Sequence, residues 1–125
     1  MEQGTRNRRR AGMEQESLAA AYLKRAGVQI LERNYRTQKG EVDIIGEDGE
    51  YLVFFEVKWR SQNGSGYASE AVDRRKQRQI CGVADYYLYE NAIPQDQGIR
   101  FDVIAVDGEK IEWIKDAFSY TGRNF

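Results

Sequence analysis

Residues 40–60, GEVDIIGEDGEYLVFFEVKWR, constrain the fold more than any other stretch. They read as two strands joined by a tight turn at Asp48-Gly49, because an Asp-Gly pair tolerates the positive φ angles of a two-residue hairpin loop. Side chains alternate faces along a strand. Val53, Phe55, Val57 and Trp59 therefore share one face, and Leu52, Phe54, Glu56 and Lys58 share the other. Both faces are largely apolar, as in a strand covered on both sides. Glu56 and Lys58 thus stand where isolated charge is costly.

The expected register sharpens this reading. With Asp48 and Gly49 as the loop, Glu47 pairs with Glu50, Ile45 with Leu52, Asp43 with Phe54, and Glu41 with Glu56. Asp43 is then the diagonal neighbour of Glu56. Three carboxylates and a lysine crowd one face of one hairpin, and like charges directly opposite destabilise a sheet. Lys58 alone does not offset them. A divalent metal is the simple candidate, since hard cations take carboxylate oxygens.

The chain of 125 residues suits one domain with one core. Residues 1–8 read as a disordered basic tail and 9–125 as the domain. The single cysteine, Cys81, excludes an internal disulfide and a multi-cysteine metal site. The absence of histidine removes a His general base, the Ser-His-Asp and Cys-His arrangements, and His-rich zinc sites. Any catalysis must use carboxylates, lysine, tyrosine or a metal. No run is long and apolar enough to span a membrane. Arg6, Arg8, Arg9 and Arg10 lead into no apolar segment of a secretory signal, and a cytoplasmic protein is expected. The net charge of −1 hides an asymmetry: residues 1–80 hold 15 Lys/Arg against 12 Asp/Glu, and residues 81–125 hold 4 against 8. The basic part also carries the crowded hairpin, which permits an anionic substrate.

Residues 9–26 have a helical pattern, with Met13, Glu16, Ala20 and Leu23 on one face and Gly27 placed to end the helix. Glu16 is the odd member of that face. It either reaches solvent at the edge of the stripe or turns a carboxylate inward. A strand is expected over 28–36, with Ile30, Leu31 and Tyr35 as its apolar content. The segment 61–66, SQNGSG, reads as a flexible loop, either a plain connection or a flap able to close over a substrate. Ser69 can cap the next helix, with Glu70 and Asp73 near its positive end. That helix runs to about Glu90. Val72, Lys76, Ile80, Ala84 and Leu88 recur every fourth residue, so one lysine lies on the apolar stripe while Arg74, Arg75 and Arg78 spread around it. Cys81 reads as packing, since no histidine exists to activate it. Strands are expected over 99–106 and 109–115, joined at Asp107-Gly108, with Ile111 and Trp113 on one face. Asp102, inside a strand, reads as the holder of a neighbouring arginine, the other reading being a ligand. Phe118, Tyr120 and Phe125 can pack back on the domain.

The order of elements, with Asp43 on one strand and Glu56-Val57-Lys58 on its partner, resembles the PD-(D/E)XK nucleases. More closely, the chain resembles the YraN-type bacterial family to which endonuclease activity is ascribed, a distant relation of archaeal Holliday-junction resolvases. The carrying stretches are 12–23, Gly40-Glu41-Val42-Asp43, Phe55-Glu56-Val57-Lys58, residues 70–77 (EAVDRRKQ), and Arg100-Phe101-Asp102-Val103. Val42 stands where the fold's name expects proline. The resemblance implies an α/β, restriction-endonuclease-like αβββαβ core with a mixed central sheet flanked by helices. It implies Mg²⁺ or Mn²⁺ held by Asp43 and Glu56, with Glu16 as a further acid and Lys58 activating water. It also implies DNA contacts from Lys76, Gln77, Arg60 and Arg74, and leaves room for a homodimer. Three readings follow: a metal-dependent endonuclease acting on DNA, branched or structured DNA included; a nucleic-acid-binding module on a nuclease fold with little activity of its own; and a structural protein whose hairpin charges pair as Lys58 with Glu56 and Lys39 with Glu41.

Overall fold

Alternation along residues 51–59 sorts the core into two halves. In the computed structural model, which describes residues 2–59 and 72–121 with side chains from residue 12 onward, Leu52 and Phe54 are buried in one apolar cluster and Val53 and Phe55 in another. The strand β3, Tyr51–Trp59, lies third in a five-stranded sheet. Its companions are β1, Gln29–Thr37, β2, Gly40–Asp48, β4, Gly98–Asp107, and β5, Lys110–Phe118. Spatial order follows chain order. Neighbours are antiparallel except β3 and β4, which run parallel. A parallel pair needs a long crossover connection, and the helix α2, Arg74–Glu90, lies within it.

Each face of the sheet is covered by one helix. α2 packs Ile80, Val83, Ala84 and Leu88 on Val42, Ile45, Phe54, Phe101 and Val103. The helix α1, Glu2–Arg25, packs Ala19, Ala20 and Leu23 on Ile44, Val53, Phe55, Ile104 and Val106. Phe54 stacks on Phe101, and Phe101 on Phe118, at centroid distances of 5.5 and 5.1 Å. Full burial of each such side chain stabilises the fold by roughly 1.5–3 kcal/mol. The chain is thus a mixed α/β protein, a central mixed sheet between two helices.

Several boundaries differ from expectation. α1 begins at Glu2 and so takes in residues 2–8, assigned above to a disordered tail. Glutamate, glutamine and arginine are good helix formers, and nothing after Gly4 in that stretch breaks a helix. α2 is capped by Asp73, whose carboxylate accepts from the Lys76 amide at 2.8 Å. Ser69, expected to cap it, lies outside the described residues, as do Arg60, Glu70, Phe125 and the segment 61–66. β5 is longer than expected and reaches Phe118, with Phe118 and Tyr120 packed on the α2-side core. Asp102 holds Arg100, as expected, through hydrogen bonds of 2.8–3.2 Å.

The register of the first hairpin is displaced by two residues. Asp48 pairs with Tyr51, Glu47 with Leu52, Ile45 with Phe54 and Ile44 with Phe55. The loop is therefore Gly49-Glu50, with Gly49 at φ +60°, the sign a II′ turn requires at its first central residue. Asp48 is withdrawn into the strand because its carboxylate binds Arg100 at 2.7 Å. A shift of two preserves every side chain's face, whereas a shift of one reverses it.

Candidate active site

The site forms where the β2–β3 ladder stops. Pairing is regular from Asp48↔Tyr51 to Ile44↔Phe55 and goes no further. At the next position Asp43 Oδ2 accepts a hydrogen bond from the Val57 amide at 2.7 Å, so a side chain replaces a ladder bond. The cause lies in the neighbouring strand. Asn34 of β1 has φ +53°, a left-handed conformation that asparagine tolerates better than most residues. On either side of it Arg33 pairs with Ile44 and Tyr35 with Val42. Residues two apart on a flat strand share a face, yet Val42 is buried under α2 and Ile44 under α1. Both strands therefore turn a corner at Asn34 and Asp43.

This corner gathers carboxylates from three elements. Glu56 of β3 is buried at 8 % exposure, and its Oε2 has no hydrogen-bond partner among the described residues. Burial pushes its carboxyl up to about 8, and the adjacent Asp43 charge pushes in the same direction. Lys76 and then Lys58 pull against them. Glu16 of α1 is half-buried and is pushed up to about 7, first by burial and then by Asp43. Glu41 raises it further, while Arg33 opposes. The Asn34 amide, with its nitrogen turned to the acids, donates to Glu16 Oε2 at 2.9 Å and to Glu41 Oε1 at 3.0 Å. Asp43 thus acts on both Glu16 and Glu56 and raises the carboxyl of each.

Among the site residues named from sequence, Glu16, Asp43, Glu56, Lys58 and Lys76 thus come together. Gln77 is turned back on its own helix, its Nε2 donating to the Val72 carbonyl at 2.9 Å. Arg74 is exposed at the start of α2. Asn34 was missed, although an asparagine inside an otherwise regular strand is itself a signal of a left-handed position. The pairs of the structural-protein reading are not those found. Among the described residues Glu41 pairs with Arg36 at 3.5 Å, and no ion pair joins Glu56 to Lys58 or Glu41 to Lys39. Among the described residues, too, no three acidic or thiol groups form a ready-made metal cage, and no helix is long and apolar enough to cross a membrane.

The arrangement can do two things chemically. It leaves a buried carboxylate oxygen of Glu56 without a partner among the described residues, where the charges of Lys76 and Lys58 act on it. It also keeps Glu56 shielded, so that any cation arriving there meets little competition from water.

A model of the uncharacterised protein family UPF0102 matches residues 15–106. A UPF0102 protein of Lachnoclostridium phytofermentans is 44 % identical over 116 residues, covering 93 % of this chain and 98 % of that one. One from Halorhodospira halophila is 44 % identical over 117 residues, covering 93 % of each. One from Dechloromonas aromatica is 44 % identical over 108 residues, covering 86 % and 88 %. The family match spans the C-terminal half of α1, the first hairpin, α2 and the corner that holds the acids, and the chain belongs to the UPF0102 family.

Proposed function

We propose that this protein is a metal-dependent endonuclease with a restriction-endonuclease-like core, hydrolysing phosphodiester bonds in DNA, branched or structured DNA among its substrates. The observation that carries this reading is Glu56: a buried carboxylate with one oxygen unpartnered among the described residues, beside Asp43 and under the charges of Lys76 and Lys58. Buried polar atoms are almost always satisfied, and an exception calls for a ligand or a role. The residues fit Mg²⁺ or Mn²⁺. Magnesium is commonly held by one or two carboxylates, with water and substrate phosphate completing its octahedron, so no cage of protein ligands is needed.

Asp43 and Glu56 would hold the ion, and Glu16 would bind it or its water from α1. The bound ion would polarise the phosphoryl oxygen and lower the pKa of a water molecule. Lys58 orients the attacking water and opposes the negative charge that builds on the phosphate. Lys76, one turn into α2, contacts the phosphate backbone. Val57 fixes the Asp43 carboxylate by its amide, and Asn34 fixes Glu16 and Glu41, so the acids are held before substrate arrives. Histidine has no part in this scheme, which agrees with its absence.

The test separates chemistry from binding. Purified protein with Mg²⁺ or Mn²⁺ is assayed on linear, gapped and branched DNA, alongside Lys58→Met and Glu56→Ala. Wild type should cleave at least one substrate and stop on chelation. Lys58→Met should keep the fold and most DNA affinity while cleavage falls by about a hundredfold or more, as for loss of one preorganised charge-stabilising group. Glu56→Ala should lose metal binding as well as cleavage. Equal rates for wild type and Lys58→Met would assign any cleavage to a contaminant and leave a nucleic-acid-binding module as the reading.

A further inference from the structure

The turn between β1 and β2 packs across α2. A Cβ added to Gly40 would meet the Gln79 side chain at 2.6 Å, and one added to Gly82 would meet Lys39 Cδ at 2.8 Å. The Lys39 stem therefore lies over the helix at the one place where α2 has no side chain. Beyond it opens a groove of about 720 Å³ lined by Arg36, Lys39, Asp85, Tyr86 and Tyr89. Tyr86 is 53 % exposed and Tyr89 75 %. Asp85, the one acid of the groove, accepts a hydrogen bond from the Tyr120 hydroxyl.

We propose that this groove seats a single nucleic-acid strand running from the acidic site. The inference rests on the nuclease reading and adds a substrate class to it: DNA with an unpaired segment beside the scissile phosphate. Lys76, Gln79, Gly82 and Tyr86 succeed one another along one flank of α2. Ten residues at 1.5 Å each place Tyr86 about 15 Å from Lys76, a span of roughly four stacked nucleotides. An exposed phenol ring beside two long cations is the combination that holds single strands. The ring stacks on a base of any sequence, and the cations follow the phosphates. A closed duplex keeps its base faces to itself and gains nothing from such a ring. Half-exposed tyrosines also serve protein contacts, but the groove bears Lys39 and also Arg36, which Glu41 meets at 3.5 Å, and Asp85, the one acid among its described lining residues, is hydrogen-bonded, so the groove complements a polyanion.

The experiment measures binding by fluorescence anisotropy in EDTA, where cleavage cannot interfere. The probes are a labelled single-stranded deoxyoligonucleotide and the matching blunt duplex. Tyr86→Ala should weaken single-strand binding by roughly five- to a hundredfold and change duplex binding less than twofold, the range expected from losing one stacked base. Tyr86→Phe should bind as wild type, which guards against a folding artefact. Lys39→Ala should reduce the slope of log K against log salt by about 0.7 on the single strand. The proposal is overturned if wild type does not bind the single strand, if Tyr86→Ala binds it as tightly as wild type, or if strand and duplex lose affinity alike. Self-association that disappears in Tyr86→Ala while strand binding is unchanged would assign the groove to a second copy of the chain. Failure here while Lys58→Met still abolishes cleavage removes only the groove. Tyr86-dependent strand binding without any cleavage removes only the nuclease reading.

Discussion

Two buried carboxylates, Glu56 on β3 and Asp102 on the adjacent β4, are treated in opposite ways. Asp102 is fully enclosed and fully partnered. It accepts from Arg100 Nε and a terminal guanidinium nitrogen, from Trp113 Nε1 at 2.8 Å and from the Asp116 amide at 2.9 Å. Arg100 reaches on to Asp48 and so ties the first hairpin to β4, and those two carboxylates push its guanidinium pKa up. Glu56 is almost as enclosed, yet the charge that acts on it most is another carboxylate, and one oxygen has no partner among the described residues. Burial of charge by itself does not mark function. What distinguishes the two is whether the protein supplies the counter-charge.

The comparison can be broken by substitution. The largest stability effect is expected at Asp102. Asp102→Ala strands Arg100 beside a cavity and should cost about 3–5 kcal/mol in urea unfolding, the range for removing one partner of a buried pair. It should do this equally with and without Mg²⁺. A loss below about 1 kcal/mol would mean that Asp48 alone satisfies the arginine.

At Glu56 the sign should reverse. Its folded pKa is raised from 4.5 to about 8, so the stability tied to its neutral form is fully present below about 4.5 and is lost as the pH climbs through about 8. Glu16 acts in the same sense, up to about 7. Metal-free protein should therefore lose melting temperature between pH 5 and 8, and Glu56→Gln should remove much of that decline. Mn²⁺ should raise the melting temperature of wild type more at pH 8 than at pH 5, because at low pH protons compete for the ligands. Glu56→Gln should gain little from the metal at either pH. A flat wild-type profile, or equal metal gains in both proteins, would make Glu56 an ordinary buried acid.

The smallest effect is expected at Asn34. Asn34→Ala places a Cβ residue without a compensating side-chain bond at φ +53°, which costs about 1 kcal/mol. It also frees Glu16 and Glu41 from their shared donor. Cleavage should fall further than that stability loss alone explains, and Asn34→Gly should restore the melting temperature but not the rate. Recovery of both would confine Asn34 to the backbone.

Much of this was legible in the residues. Alternation gave both faces of β3 and thus the two-sided core. The i+4 stripe put Lys76 inward, and the shared face of Glu56 and Lys58 needed only the strand period. The hairpin register was not legible to the residue, because Asp48-Gly49 and Gly49-Glu50 both offer a two-residue loop around one glycine. The choice is made by Arg100, fifty residues away, which draws Asp48 into the strand. The corner was missed for a similar reason. A period-two reading assumes an unbroken pleat, and Asn34 breaks it in both β1 and β2. Asp73 as the helix cap follows from geometry that propensity alone does not order, since serine and aspartate cap about equally well.

The corner has a consequence of its own. A sheet ordinarily insulates the helix on one side from the helix on the other, because side chains leave it in opposite directions. Here the insulation is breached at one point: Glu16 of α1 stands beside Asp43, and the charge of Lys76 on α2 acts on Glu56. The acids are therefore a joint between the two layers. Any displacement of either helix against the sheet, such as a bound strand lying along α2 would exert, is felt at the carboxylates directly. A repacking change as remote as Ala20 or Leu88 becomes a change in the spacing of the acids.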